Sequence, residues 1–286
     1  MNDINYFEDI ESTVASALNE DIKGGDLTAG LIPETVQATA NIFCREDAII
    51  CGRPWFDEVF RQIDENAKIE WLCEEGEPVK SDQLICTITG SARNILTAER
   101  TALNFLQTLS GTASTTSEYV KPLAGTKTKL LDTRKTLPGL RLAQKYAVAC
   151  GGGQNHRIGL YDAILLKENH IMAAGGIAEA IGIAKFQHPG KTVEVETENL
   201  AEVQEALEGG ADIIMLDNFT LEMMDQAVLL VNNKAKLEVS GNVEIEHLET
   251  LAKTQVDFIS TGAITKHLRS IDLSMRFKMK KASTAL

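Results

Sequence analysis

Ala163–Lys167 has the sequence AILLK, and this pattern, an apolar run that ends in a polar residue, decides the fold. From residue 129 onward the pattern occurs six times: KLLDT at Lys129–Thr133, AILLK, TVEVE at Thr192–Glu196, IIMLD at Ile213–Asp217, LEVS at Leu237–Ser240 and FIS at Phe258–Ser260. Successive runs end 20 to 34 residues apart, which leaves room for a strand, a crossover helix and two loops. Helix-like stretches, such as Leu221–Val231, lie between the runs. This alternation predicts a parallel α/β sheet, either open or closed into a barrel.

The first hundred residues follow a different pattern. We predict a helix over Trp55–Ile63 and four strands, at Gln37–Cys44, Ala48–Cys51, Lys68–Cys73 and Gln83–Thr89. Strands without crossover helices between them favour an antiparallel α+β layer. Another helix is expected from Ser91, a suitable N-cap, to about Leu109, just before Ser110–Gly111. We therefore expect an α+β domain over residues 1–111 and an α/β domain over residues 112–270.

Composition excludes several classes of protein. The chain has 286 residues, of which 44% are hydrophobic and 24% charged, and this is ordinary globular composition. The net charge of −13 argues against nucleic acid or anionic lipid as a partner. We find no apolar run of the roughly 20 residues that a membrane helix needs. The first residues do not resemble a secretory signal, and the five cysteines form no CxxC pair. We therefore expect reduced thiols, no disulfide framework, no zinc site and a cytoplasmic location.

The net charge hides a local reversal of sign. Between Lys127 and His170 the chain has eight Lys and Arg residues but only three acids, so this segment carries +5 and the rest of the chain −18. A positively charged segment of this kind can concentrate a small anion, although a solvated basic face would have the same composition. Inside it, Pro138 suits the start of a helix, and Gly151–Gly153 suits its end.

Polar residues follow the predicted strands at the points where those strands end. In parallel α/β folds the carboxyl ends of the strands meet at one edge, where ligands bind. The residues expected at this edge are Arg134, Lys135, Lys167, Glu196, Asp217, Ser240, Gly241, Ser260 and Gly262, and a glycine-rich segment brings His156 and Arg157 toward it. So many cations predict a ligand with two or more negative groups.

Several roles remain open from the residues alone. Lys167 could form a Schiff base, as in a barrel aldolase, or act as a fixed charge. Glu196 and Asp217 could neutralise that lysine, or bind ribose hydroxyls and a hydrated Mg²⁺. Arg100 interrupts the apolar stripe of its helix, so it either extends along the surface or is delivered into an anionic site, across a subunit boundary for example. A non-catalytic binding protein for phosphorylated metabolites is a further alternative.

The sequence resembles the quinolinate phosphoribosyltransferase family of type II phosphoribosyltransferases. The resemblance covers about Glu20 to Phe277 and rests on these runs: EDIKGGDLT, TAERTALNFLQTLSGTA, LLDTRKTLPGLRLAQKYAVACGGGQNHRIGLYDAILLKENHI, VEVE, IIMLDN, VSGN and STGA. It implies an α+β sandwich followed by an incomplete, TIM-like α/β barrel, with residues 271–286 returning to the sandwich. The implied reaction converts quinolinate and phosphoribosyl pyrophosphate into nicotinate mononucleotide, pyrophosphate and CO₂, with Mg²⁺ and without a redox or pyridoxal cofactor. A related nicotinate-type enzyme has one carboxylate fewer to bind, so the many cations favour quinolinate.

The same resemblance implies a role for each candidate residue. Arg134, His156, Arg157 and Lys167 would hold the quinolinate carboxylates, together with Arg100 from the other subunit of a homodimer, or of a hexamer. Lys135 and Lys167 would reach the phosphoribosyl donor. Glu196 and Asp217 would hold ribose and, through water, Mg²⁺. The 5′-phosphate region would be bound by Ser240, Gly241, Ser260 and Gly262.

Overall fold

A computed structural model of the chain describes residues 4–241 and 243–279. The chain divides into two compact units. Unit 1 comprises Met1–Thr115, Leu137–Gly151 and His267–Leu286, and unit 2 comprises Thr116–Thr136 and Gly152–Lys266. Among the described residues, none of the helices combines the length and the apolarity that crossing a membrane requires.

Unit 1 is built on an antiparallel sheet. Its strands are β1 (Gln37–Cys44), β2 (Ala48–Ile49), β3 (Lys68–Trp71), β4 (Pro78–Val79), β5 (Leu84–Ser91) and β12 (Leu273–Met279). The main sheet has the order β12-β1-β5-β3, while β2 and β4 form a separate pair. Helices α1 (Ile10–Ile22) and α2 (Arg53–Ile63) pack together, and Trp55 and Phe56 of α2 are fully buried in the core. Strand β12, which is part of the tail, pairs with β1, whereas residues 280–286 lie outside the described residues.

Helix α3 (Ala92–Val120) is longer than the sequence predicted. We expected it to end before Ser110–Gly111, and that expectation was wrong because these residues serve close packing. Ser110 is fully buried, and its hydroxyl donates a hydrogen bond to the Cys51 carbonyl at 3.0 Å. A Cβ on Gly111 would lie 2.2 Å from the Arg269 carbonyl oxygen. The glycine therefore allows a close backbone approach and does not end the helix.

Unit 2 contains a parallel sheet with helices between its strands. In the described part of the chain the strands are β6 (Lys129–Leu131), β7 (Ile164–Leu166), β8 (Val193–Thr197), β9 (Ile213–Asp217), β10 (Lys236–Ser240) and β11 (Phe258–Ser260). Their order is β6-β11-β10-β9-β8-β7, and the fold is an incomplete, TIM-like α/β barrel. Helices follow β7 to β11 in turn: α5 (Glu168–Ala174) and α6 (Ile177–Gln187) after β7, then α7 (Leu200–Gly209), α8 (Leu221–Val231), α9 (Leu248–Lys253) and α10 (Ala263–Lys266).

The segment after β6 departs from the prediction in one respect. Helix α4 (Arg141–Cys150) begins three residues after Pro138, because Leu137–Leu140 forms a turn whose Leu140 N–H donates to the Leu137 carbonyl at 3.2 Å. The Leu137 N–H in turn donates to Oε1 of the buried Gln144 at 2.7 Å. Helix α4 lies in unit 1, where Lys145 is fully buried.

Candidate active site at the strand ends

Three predicted residues stand at the carboxyl ends of neighbouring strands in unit 2. Lys167 follows β7, Glu196 lies near the end of β8 and Asp217 ends β9. Lys167 Nζ is 2.5 Å from Glu196 Oε2, so this lysine and carboxylate form an ion pair. Burial and the charge of Glu196 raise the pKa of Asp217, whereas Lys167 and Lys135 act in the opposite direction. Two carboxylates and two ammonium groups are therefore close enough to affect one another electrostatically.

The turn after β9 is shaped around Asp217. Asn218 has a φ of 55°, and its Nδ2 donates to Asp217 Oδ2 at 3.0 Å. Gly241 follows β10 with a φ of 131°, and a Cβ there would lie 2.8 Å from Asn218 Oδ1. A side chain at residue 241 would therefore displace Asn218 and disturb the position of the Asp217 carboxylate. This contact brings the predicted residues Ser240 and Gly241 next to Asp217.

The loop after β6 lies against the end of β11. Thr265 Oγ1 donates to the Lys135 carbonyl at 2.8 Å, and a Cβ on Gly262 would lie 2.8 Å from Lys135 Cδ. Ser260 is only 2% exposed. The Thr261 N–H donates to the Leu131 carbonyl at 3.1 Å. The end of β11 therefore offers hydroxyl groups and packs closely against the loop after β6. The Thr261 N–H is engaged in a hydrogen bond to β6.

His156 belongs to a hydrogen-bonded network that the sequence did not predict in full. The fully buried Asp132 accepts the His156 N–H at 2.8 Å and Asn155 Nδ2 at 2.7 Å. The Arg157 N–H donates to His156 Nδ1 at 2.8 Å, while His156 Nε2 is 2.8 Å from Glu194 Oε2. The hydrogen bonds thus assign the neutral tautomer with its proton on Nε2. Both ring nitrogens already have partners within the protein.

Glu194 and Glu238 are two buried acids that sequence reasoning missed. They are 3% and 0% exposed, and Glu238 Oε2 lies 3.6 Å from His156 Nε2. Burial and the neighbouring Glu194 raise the pKa of Glu238 to about 8. A signal for both was present in the sequence, because each lies two residues before a strand-end candidate, Glu196 or Ser240, and therefore on the same face of its strand.

The cationic side of the site contains Arg134 and Arg157. Burial and the nearby positive charge of Arg134 lower the pKa of Arg157. Arg157 Nη1 also donates to the Ala163 carbonyl at 3.3 Å, and this hydrogen bond fixes part of its side chain. An anion bound between these groups would relieve their repulsion. Such a pair suits a carboxylate ligand.

Arg100 lies on α3 in unit 1 and is exposed. It lines a cavity of 520 Å³ together with Thr101, Asn104 and the turn residues Pro138 and Gly139. Arg100 is thus exposed, whereas Leu103, three residues further along the same helix, is buried. Its delivery into the site of a neighbouring subunit stays a prediction.

These features define a class: an α/β-barrel enzyme whose strand ends combine carboxylates with cations suited to an anionic ligand. The N-terminal and C-terminal domains of quinolinate phosphoribosyltransferase match residues 26–110 and 112–276. The chain therefore belongs to the quinolinate phosphoribosyltransferase family.

Known relatives resemble the chain over most of its length. The structure of the nicotinate-nucleotide pyrophosphorylase from Francisella tularensis is 51% identical, covers 97% of this chain and 98% of that protein, and superposes with a TM-score of 0.93. A probable carboxylating nicotinate-nucleotide pyrophosphorylase from Synechocystis is 40% identical over 91% of this chain and 89% of its own length. A mitochondrial, decarboxylating quinolinate phosphoribosyltransferase from Nicotiana tabacum is 37% identical over 96% of this chain and 84% of its own length.

Proposed function

We propose that this chain transfers the phosphoribosyl group of phosphoribosyl pyrophosphate to quinolinate and removes one carboxylate, giving nicotinate mononucleotide, pyrophosphate and CO₂. This reaction belongs to the de novo biosynthesis of NAD. The observation that carries the proposal is the strand-end group in which Lys167 pairs with Glu196, beside Asp217 and Lys135. A polyphosphate needs cations, while an activated ribose needs carboxylates, and this group supplies both.

Quinolinate would be bound on the cationic side of the site. We assign its two carboxylates to Arg134, Arg157 and Lys167, and to Arg100 of a second copy of the chain. His156 keeps its place in this set, but Glu194 and the Arg157 N–H already engage its ring nitrogens. In this conformation His156 therefore acts by fixing the segment that carries Arg157. Direct contact with quinolinate would require Nε2 to leave Glu194.

Glu196 and Asp217 suit a magnesium ion that accompanies the phosphoribosyl donor. The Glu196 charge raises the pKa of Asp217, and a divalent cation would relieve that repulsion. Oxygen ligands with bound water are the coordination that Mg²⁺ prefers. When bound, the ion would neutralise charge on the pyrophosphate. Lys135 and Lys167 would bind the donor as well, and Ser240, Gly241, Ser260 and Gly262 would surround the 5′-phosphate.

The order of bond changes explains which residues act. The bond from ribose C1 to pyrophosphate breaks, and Glu196 or Asp217 stabilises the positive charge that develops on the sugar. The quinolinate nitrogen then bonds to C1, and this makes the ring a pyridinium. The bond to the adjacent carboxylate breaks, its electron pair enters the ring, and the ring carbon takes up a proton. Because the ring accepts the electrons, the reaction needs no redox or pyridoxal cofactor.

The assembly and location of the protein belong to the same proposal. We propose a homodimer, or a hexamer built from such dimers, because the family resemblance implies that the exposed Arg100 of one copy enters the carboxylate site of another. We also propose that the chain is divided into domains at residues 1–111 and 112–270. The pairing of β12 with β1 supports the return of the tail to the first domain. A cytoplasmic location is proposed from the reduced-thiol composition, although some plant relatives are named mitochondrial or chloroplastic.

One assay tests the function. The purified protein is incubated with phosphoribosyl pyrophosphate, Mg²⁺ and either quinolinate or nicotinate, and the mononucleotide, pyrophosphate and CO₂ are measured. We expect all three products with quinolinate in equal amounts. Turnover with nicotinate alone would favour the nicotinate-type enzyme, and the absence of pyrophosphate release would favour a binding protein. Borohydride trapping of Lys167 on a carbonyl substrate would favour the aldolase.

A further inference from the structure

A second cluster of reactive side chains lies in unit 1 and includes none of the residues proposed for the reaction. The sulfur atoms of Cys51 and Cys150 and a carboxylate oxygen of Glu75 all lie within 4.8 Å of one another. Cys51 follows β2, Glu75 lies in the loop before β4 and Cys150 ends α4. The fold therefore brings together three segments that are far apart in sequence.

Hydrogen bonds with neighbouring segments hold Cys51 and Glu75 in place. The Cys51 N–H donates to Ser110 Oγ at 2.9 Å. Glu75 accepts the Gly52 N–H at 2.5 Å and the Arg53 N–H at 3.2 Å, at the start of α2. Hydrogen bonds that orient ligands in this way are typical of metal sites.

Backbone hydrogen bonds to Ile50 hold the loop that carries Glu75 in place. The Gly76 N–H donates to the Ile50 carbonyl at 2.8 Å, and the Ile50 N–H donates to the Glu77 carbonyl at 3.0 Å. A Cβ on Gly76 would lie 3.4 Å from the Cys150 carbonyl oxygen, so the loop and the end of α4 are in contact. These contacts place the backbone that carries Glu75 beside the end of the helix that carries Cys150.

The chemistry of the cluster differs from that of the strand-end acids. Cys51 is fully buried, whereas Glu75 and Cys150 are partly exposed, so an ion can enter from one side. A hydrogen bond from Cys51 lowers the pKa of Cys150, while burial raises the pKa of Cys51 and of Glu75. Two sulfurs and one oxygen suit zinc-class ions, whereas Mg²⁺ prefers oxygen ligands throughout.

We propose that Cys51, Glu75 and Cys150 form a binding site for one thiophilic divalent cation of the zinc class. Both cysteines bind as thiolates, so each thiol proton still present is released to solvent when the ion enters. Three protein ligands leave one tetrahedral position, which water fills on the exposed side. The absence of a CxxC pair led us to expect no zinc site, but tertiary contacts place the two sulfurs together.

Cobalt(II) is the probe for this site. The full-length, reduced protein is treated with a chelator, freed of it and titrated with Co²⁺ under anaerobic conditions in excess Mg²⁺. We expect one equivalent to produce a thiolate-to-cobalt charge-transfer band with the visible bands of tetrahedral coordination, and Zn²⁺ to displace it. Excess Mg²⁺ should leave the band unchanged. This readout does not depend on phosphoribosyl transfer, so its failure and a failure of the proposed function are distinguishable.

Variants identify the ligands. Cys150→Ser should weaken Zn²⁺ binding at least ~100-fold, because loss of even an outer-shell partner typically weakens metal binding about 10- to 100-fold. Cys51→Ser and Glu75→Gln should also weaken binding, and circular dichroism checks that each variant is folded. Cys73→Ala is the matched control, since it removes a buried thiol of unit 1 that lies outside the cluster.

Three results would overturn the proposal. They are the absence of a thiolate band in the reduced wild-type protein, a band that persists in folded Cys150→Ser, and equal weakening by Cys73→Ala. A wild-type protein that binds no Co²⁺ but loses two hydrogens in mass under mild peroxide would contain a redox-active thiol pair instead of a metal site.

Discussion

Strand β8 carries two glutamates, Glu194 and Glu196, that differ by two positions and point to the same face of the sheet. Glu196 lies at the edge of the barrel, is partly exposed and pairs with Lys167. Glu194 lies deeper, is 3% exposed and contacts His156, beside the fully buried Glu238. One strand thus presents the same side chain to two environments.

The comparison of these glutamates shows that the depth of an acid within the barrel determines its role. At the edge, a lysine and solvent stabilise the charged carboxylate, so it is available to a substrate. In the interior, Glu238 has a raised pKa because burial and Glu194 disfavour a second negative charge. We expect substitutions at the edge to affect catalysis, and substitutions in the interior to affect stability and its dependence on pH.

The largest effect is expected from Glu196→Gln. Removing this charge should lower kcat at least ~100-fold, as loss of one group that stabilises transition-state charge commonly does. The free energy of unfolding should change by less than ~1 kcal/mol, because the pair with Lys167 is partly exposed. Steady-state kinetics and urea unfolding measure the two quantities. Glu198→Gln, an exposed acid just beyond the strand, is the control, and equal losses in both variants would contradict the assignment.

Substitutions on the cationic side should follow in size. Arg134→Ala and Lys167→Ala should each lower kcat/KM for quinolinate at least ~10-fold, because a hydrogen bond to a charged group contributes about 1.5–3 kcal/mol. Lys129→Ala removes an exposed charge from the opposite end of β6 and should leave kcat/KM unchanged. A folded Arg134→Ala with near-normal kinetics would remove Arg134 from the carboxylate site.

Glu238→Gln tests the interior. The pKa of Glu238 is about 8 in the folded protein, against an ordinary value of 4.5. The folded protein therefore keeps this proton up to a higher pH than the unfolded chain does. Unfolding between these pH values releases that proton, so wild-type stability falls as pH rises through this window. The stability difference between variant and wild type should therefore change with pH, by at most ~1.4 kcal/mol per pH unit.

Chemical unfolding at several pH values measures this slope. Glu244→Gln, which removes an exposed acid, should follow the wild-type pH dependence. If Glu238→Gln also runs parallel to wild type across the window, Glu238 is ionised in the folded protein and the contrast between edge and interior fails.

The smallest effect is expected at the opposite edge of the same sheet. Lys236 Nζ lies 2.9 Å from Asp257 Oδ1 at the start of β10, and the lysine side chain is 61% exposed. Lys236→Ala should lower the free energy of unfolding by at most ~1 kcal/mol and leave kcat unchanged, because exposed ion pairs contribute little. A loss of activity here would show that acid–lysine pairs matter at both edges of the barrel.

Local patterns predicted the strands well. IIMLD and FIS coincide with β9 and β11, because apolar runs of this length between helices have few other structures available. The same reasoning failed at Ser110–Gly111, since a glycine that allows a close approach has the same local sequence as one that ends a helix. The alternation of apolar and charged residues in TVEVE normally indicates a strand with one side facing solvent, yet Glu194 faces the protein interior.

The candidate sites differ in how far sequence could predict them. Strand-end residues such as Lys167 and Asp217 follow from the position of each run, so one strand suffices to locate them. The contact of His156 with Glu194 and the proximity of Cys51 to Cys150 depend on tertiary packing between distant segments. No local pattern carries that information.

The central position of β1 in the first sheet has a consequence for synthesis on the ribosome. Its partner on one side, β5, follows within fifty residues, but its partner on the other side is β12, where Ala38 faces Met279. While the intervening chain is translated, one edge of β1 therefore has no native partner and can pair with another nascent chain. Unit 1 is thus the first to be synthesised and the last to complete its sheet, so chaperone dependence during translation would arise in this unit.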